Sequence, residues 1–404
     1  MSAAPVSAIA ALALNDGESG RRGAVVRHRV LAVLVAAAIV VAITLPFVAV
    51  APNRLVSGVG VPLWSLTASG VWLLGVPAVL IVLAVFMPAL RATHMLVVVA
   101  ALLLLAGLFW LAGREAIAHA ANGSSLARTS FGGAFWLLAL LCWLAVADCL
   151  QRLGLSLAWR SVAHGAVCLP LALLWLSGAL DALSLAKEYA NRREVFDAAG
   201  WRHLQIVGAT LVPSLVIGVP LGVIAARSES LSRPLFALLN VIQTVPSIAL
   251  FALLIAPLTS LGALLPGWGI RGIGLLPAVI ALTLYALLPV VHGTASGLRQ
   301  VPRAAVDAAV GMGMTARQVF WQVEVPLALP VLLSGIRVTA VQVIGLAVVA
   351  ALIGAGGFGG LVFQGLASSA LDLVLLGVVP VVALAVVADA AFALLAAALA
   401  RRGS

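Results

Sequence analysis

Charge is scarce in this sequence. Of its 404 residues only 9% are Asp, Glu, Lys or Arg, where a water-soluble domain carries about 25%. With 64% of the chain hydrophobic, a soluble fold has too little polar surface to cover it, and water is excluded as the solvent for most of its length. Cysteine is nearly absent. Cys142, Cys149 and Cys168 lie in or beside apolar runs with no CxxC and no nearby His pair. That excludes a disulfide framework and leaves small packing residues. Catalytic signatures are missing too. His28, His94, His119, His164, His203 and His292 are scattered without an HExxH, so no metal site is expected, and Ser and Asp form no triad motif. There is no GxxxxGK[ST] loop. Gly354-Ala355-Gly356-Gly357-Phe358-Gly359 formally fits GxGxxG but follows an apolar span rather than a strand, and it reads as close backbone packing. No cofactor site is expected in this chain.

What is present is a series of long, continuous apolar runs. A bilayer core of roughly 30 Å needs about 20 apolar residues per helix, whereas barrel strands would alternate polar and apolar positions. The expected fold is therefore all-α, a polytopic membrane protein of about ten transmembrane helices. The candidate spans are 30–51, 70–90, 95–112, 132–150, 162–181, 205–226, 235–256, 274–296, 330–353 and 372–399. The first run is too long for a signal-peptide core of 7–15 residues, and Pro52 follows its Ala49-Val50-Ala51 end, so it reads as a retained span. The expected organisation is a cytoplasmic tail over 1–29, an N-terminal block of five spans over 30–181, an external loop over 182–204 and a second block over 205–402.

The net charge of +10 does not indicate nucleic acid, because the basic residues punctuate the ends of apolar runs instead of forming a stripe. With the N-terminus inside, fourteen fall in cytoplasmic segments, among them Arg21, Arg91, Arg152, Arg227, Arg299 and Arg402. Eight fall outside, among them Arg114, Arg128, Lys187 and Arg192. The excess places both termini in the cytoplasm. The halves differ in character, and no repeat relates them. Only the second carries many polar or helix-breaking residues within its spans, including Pro213, Asn240, Gln243, Pro246, Ser247 and Gln342. Such residues are tolerated where they face protein or water. Asn240, Gln243, Pro246, Ser247 and Gln342 are candidates for a solute path, with helix–helix bonding or a simple kink as the plainer alternative. Arg337 is expected to snorkel or to bond a carbonyl. Asp389 is weighed as a functional acid against a packing role.

The most informative stretch is the connection 297–329. Pro302 suits a first helical turn. Ala304, Ala305, Ala308, Ala309 and Met312 then recur at helical spacing as a small-residue face. Gly311 and Gly313 end that helix, and Thr315 with Gln318 forms a capping box for a second, which is expected to stop before Pro326. The product is two short helices joined by a glycine bend, with Phe320 and Trp321 as bulky anchors for a socket. A hairpin lying on lipid is the alternative.

Asp307-Ala308-Ala309, Gly313, Val323, Val325 and Pro326 keep the spacing of the EAA loop of binding-protein-dependent ABC importers, with Asp for Glu, Val for Ile and Val for Leu. The stretches from Asn240 to Ser247 and from Gly354 to Leu366 resemble the permeases of the osmoprotectant branch, which import glycine betaine, choline and carnitine. The resemblance covers about 205–402, a five-helix type I permease core. It implies ATPase subunits that bind ATP and grip the loop through Asp307, Ala308, Ala309, Gly313, Val323 and Pro326. It also implies a second permease subunit, identical or paralogous, an external substrate-binding protein and a place in the bacterial inner membrane. Gly356, Gly357 and Gly359 are candidates for an outer gate. Permeation of a different solute, or ion-gradient transport, are the competing readings; the latter calls for mid-membrane carboxylates and an inverted repeat. Reporter tags at residues 2 and 404 test the orientation: both should report cytoplasm, and a C-terminal tag reporting the other face would remove a span and invert the loop.

Overall fold

The computed structural model describes residues 27–53, 56, 58–66, 71–122, 127–166 and 168–402; the tail expected over 1–29 lies almost wholly outside them. The chain is a helical bundle. In order come α1 (Arg29–Thr44), β1 (Pro46–Ala51), β2 (Val59–Pro62), α2 (Val71–Ala84), α3 (Arg91–Asn122), β3 (Arg128–Phe131), α4 (Gly133–Arg152), α5 (Leu157–Ala166) and α6 (Cys168–Leu176). The second half holds α7 (Ser184–Asn191), α8 (Arg193–Arg227), α9 (Glu229–Thr244), α10 (Ser247–Leu264), α11 (Leu275–Arg299), α12 (Arg303–Gly311), α13 (Ala316–Val319), α14 (Val325–Val349), α15 (Phe358–Ala367) and α16 (Leu371–Arg402). Seven helices among the described residues are long and apolar enough to cross a membrane. The first, second and fifth expected spans are represented by shorter apolar helices.

Proline explains most of the differences from expectation. The residue before a proline is pushed out of the helical region. Leu45, before Pro46, has ψ 151° and ends α1, so the expected span 30–51 divides into a helix and a strand. Val245, before Pro246, has ψ 127° and divides the expected span 235–256 into α9 and α10. Residues 182–204, expected as an external loop, are helical: they form α7 and the first part of the 35-residue α8. Their charges are answered by partners distant in sequence, which the sequence does not reveal. The all-α expectation also missed a small antiparallel sheet of order β2-β1-β3, pairing Val48 with Phe131 and Ala49 with Ser130. Phe47, Phe131 and Phe135 bind the sheet to the helices beneath, with the Phe131 and Phe135 rings stacked 4.0 Å apart.

In the second half α11 is the central helix, with α8 on one side and α14 on the other. Lipid offers no hydrophobic drive between helices, so close backbone approach through small residues holds them. Thr294 of α11 fills the space beside Gly222 of α8, where a Cβ would come within 2.5 Å of it. On the opposite side Gly293 and Gly335 cross, and a Cβ on Gly293 would lie 2.8 Å from the Gly335 Cα. Gly335→Leu must push α14 away from α11, an overpacking that costs about 1–3 kcal/mol. Thermal unfolding of the detergent-purified chain should show a clear drop for it and none for Gly345→Ala, whose added methyl meets nothing within 4 Å.

Candidate functional site: a polar cleft and the hairpin below it

Two sites occupy the second half. The first is a cleft of roughly 690 Å³ between α9, α11 and α14, lined by Asn240, Gln243, His292, Ser296, Gln300, Ser334 and Gln342 along with Phe236, Pro289 and Val338. Three of the five expected path residues, Asn240, Gln243 and Gln342, meet here. Pro246 and Ser247 do not line it; they form the break between α9 and α10. That break frees backbone groups that must be satisfied inside a membrane. Tyr285 Oη donates to Val245 O, and Gln243 Nε2 donates to Tyr285 O at 2.7 Å. Gln243 thus fills both roles weighed for it, bonding a neighbouring helix and lining the cleft. His292, Ser296 and Gln300 had gone unselected, although their spacing of four puts them on one face of α11.

The second site is the hairpin at the end of the bundle toward which the cleft descends through Gln300. α12 and α13 are joined through Gly313, whose φ of +83° suits glycine. The capping box is present: Gln318 N donates to Thr315 Oγ1 at 3.4 Å and Thr315 N donates to Gln318 Oε1 at 2.8 Å. The second helix does not stop before Pro326. It passes through one π-turn over Phe320–Glu324 into α14. Proline has no N–H to give an α-helical ladder, and a π-turn is a known way to absorb such an interruption.

The hairpin exposes Ala304, Ala308 and Met312 of the expected small-residue face, with Ala309 turned away from it. Ala309 is 1% exposed and packs inward. Asp307, Ala308 and Pro326 are exposed and Val323 is half-buried. The outward bulk comes from Val310, Met312 and Trp321, of which Met312 is 76% exposed. Phe320, expected as a second outward anchor, is half-buried beneath the guanidinium of Arg227, 5.8 Å from its ring. Arg227, at the end of α8, also grips Glu324 with both nitrogens, Nη1 to Oε1 at 2.9 Å and Nη2 to Oε2. Such bidentate pairs fix geometry, so the hairpin is bolted to α8. Arg299 adds bonds to Ala225 O and Ser232 Oγ.

The glycine run lies at the other end of the bundle. Gly354, Gly356 and Gly357 have positive φ. A Cβ on Gly359 would come within 1.9 Å of Val348 O, and one on Gly357 within 3.2 Å of His203 Nδ1. Arg202 Nε donates to Ala355 O at 2.8 Å, and His203 Nε2 lies 3.1 Å from Ile344 O. This is the close packing expected of the run. Arg337 neither snorkels nor bonds a carbonyl; it pairs bidentately with Asp389 of α16 at 2.5 and 2.6 Å. That supports the packing role for Asp389.

Comparison with known proteins now bears on these sites. Residues 218–401, which hold the cleft and the hairpin, match the family described as binding-protein-dependent transport system inner membrane component. Residues 26–186 match the N-terminal domain of the ABC transporter permease YehY. Two family models of membrane transport components thus account between them for most of the chain. The chain is similar to the osmoprotectant import permease protein OsmW of Salmonella typhimurium, 41% identical over 36% of this chain and 64% of the relative. The carnitine transport permease protein OpuCB of Listeria monocytogenes is 38% identical over 36% of this chain and 60% of the relative. The choline transport system permease protein OpuBD of Bacillus subtilis is 35% identical over 39% and 63%. The chain therefore spans about three fifths of the length of the curated relatives it matches. A solved structure of the MetNI methionine ABC transporter in an inward-facing conformation aligns with 52% of this chain and 98% of its own chain, at 23% identity and a TM-score of 0.47. The seven long apolar helices among the described residues agree with the inner-membrane character of the matched family.

Proposed function

We propose that this chain is the membrane-spanning permease subunit of an ATP-driven importer for small osmoprotectant solutes such as glycine betaine, choline or another quaternary amine. The observation that carries the transport reading is that the hairpin and one wall of the cleft belong to one uninterrupted helical run, residues 316–349. A displacement of the hairpin is then a displacement of Ser334, Val338 and Gln342 in the cleft. The solute class is supported by the similarity to OsmW, OpuCB and OpuBD.

In this reading ATPase subunits bind ATP and hold the hairpin through Asp307, Ala308, Gly313, Val323 and Pro326, with Met312, Val310 and Trp321 as apolar anchors. Large apolar residues at the centre of a contact carry most of its affinity. Ala309 acts from within, keeping α12 seated. A second permease subunit, identical or paralogous, closes the cleft into a path in which Asn240, Gln243 and Gln342 meet the solute, while Pro246 and Ser247 supply the break beside it. The glycine loop at Gly356, Gly357 and Gly359 acts as the outer gate, and an external binding protein delivers solute there. Both termini and the hairpin face the cytoplasm of the inner membrane. An ion-gradient mechanism is less well supported, because the intramembrane acid considered for it, Asp389, is held by Arg337.

Met312→Asp and Val310→Asp test the coupling. Both side chains point away from the chain, so both variants should insert and fold. ATPase subunits should be lost on co-purification, or ATP-driven glycine betaine uptake into vesicles should fall at least tenfold. Normal uptake with the ATPase still attached in both variants would contradict the docking role. Uptake of another solute but not glycine betaine would overturn the solute class alone.

A further inference from the structure

Away from the cleft, charged side chains of both signs collect around a recess of about 180 Å³ at the end of the bundle opposite the hairpin. One water needs only about 10–15 Å³ of such space, so the recess is large enough for a small molecule. Its wall is drawn from both halves of the chain: Arg128 and Ser130 from β3, Ser184 and Glu188 from α7, and Ser369 with Asp372 at the head of α16.

The polar atoms of this wall are incompletely matched. Asp372 Oδ2 accepts from Ser130 Oγ at 2.8 Å and from Ser184 Oγ, while Asp372 Oδ1 is buried without a partner among the described residues. Arg128 Nη2 lies 3.7 Å from Glu188 Oε1, while Arg128 Nη1 is likewise buried without a partner among them. Glu188 is held from its other side by Arg192, 3.4 Å away. Lys187 turns elsewhere, donating to Ala127 O at 3.0 Å. Buried polar atoms are nearly always paired, and an orphan calls for an explanation such as an unseen partner. Here one orphan is a cationic donor, the other is an anionic acceptor, and both belong to residues of one recess. Ser369, in the same wall, is the sole non-glycine residue with positive φ among the described residues, at +51°. That conformation closes the end of α15, with Ala370 N donating to Gly365 O at 2.8 Å.

We propose that this recess binds a small zwitterion, its carboxylate on Arg128 and its cationic end beside Asp372. A simple anion would face Asp372 and Glu188 while leaving Asp372 unanswered. A simple cation would leave Arg128 unanswered. A molecule carrying both charges answers both orphans. Because the recess joins β3 to the head of α16, its ligand bridges the N-terminal helices and the permease core. This gives the N-terminal half a solute-responsive role separate from the path. That the zwitterion is a quaternary-amine carboxylate rests on the function proposed above; the zwitterion chemistry itself does not.

The test is equilibrium binding to the purified full chain in lipid nanodiscs, with neither ATPase nor binding protein. The probes are glycine betaine and glycine as zwitterions, choline as a cation and acetate as an anion. Saturable binding of at least one zwitterion is expected, with choline and acetate at least tenfold weaker. Arg128→Gln and Asp372→Asn should each weaken it at least tenfold, while Gly345→Ala, whose added methyl meets nothing within 4 Å, should leave it unchanged. No saturable zwitterion binding, or binding that survives both recess substitutions, overturns the proposal. If both recess variants fail to fold, the unmodified chain decides: choline or acetate binding as tightly as the zwitterions overturns it. Binding of glycine without glycine betaine supports the recess and counts against the proposed solute class, so the two fail separately.

Discussion

The continuity of the backbone from Thr315 to Val349 is the constraint on which the two functional regions depend. A proline at position 326 would ordinarily mark a helix end, and with it a flexible joint between the hairpin and the membrane helix. The π-turn over Phe320–Glu324 absorbs the missing N–H, and the helix continues through Pro330 to Val349. The Arg227–Glu324 pair then fixes this turn against α8, and the Gly293–Gly335 crossing holds α14 against α11. A continuous helix with two fixed contacts links the exposed hairpin to the wall of the cleft.

The cleft itself follows from how lipid treats polar groups. Unsatisfied backbone is costly in a membrane, so irregular segments survive only where protein or water answers them. The break at Val245 is answered by Tyr285, the Tyr285 carbonyl, four residues before Pro289, by Gln243, and the charge of Arg337 by Asp389. The polar residues left over on α9, α11 and α14 face a common cleft. Broken helices beside a solute path are a recurrent arrangement in transporters.

Features governed by local chemistry were legible in the sequence. The capping box of Thr315 and Gln318, the bend at Gly313 and the polar character of Asn240, Gln243 and Gln342 need no knowledge of distant residues. The divided first and seventh spans were also legible in principle, through the effect of Pro46 and Pro246 on the residue before each. Features set by long-range partners were hidden. The chain over 182–204 looks like a loop until Glu188 is seen between Arg128 and Arg192. Ala309 looks like part of the presented alanine face until it is found packed inward. Arg337 and Asp389 are separated by 52 residues, and nothing near either one names the other. The His292, Ser296 and Gln300 stripe was readable from its spacing, and polarity scattered through an apolar helix obscured it.

The central claim is that the hairpin and the cleft move as one. Spin labels at Val241→Cys and Val338→Cys, in a Cys168→Ser background, report the separation of α9 and α14 across the cleft by pulsed electron resonance. With ATPase subunits bound, adding nucleotide should change this distance, and adding Met312→Asp should abolish the change. A distance that stays fixed through nucleotide binding while solute uptake proceeds would contradict the account.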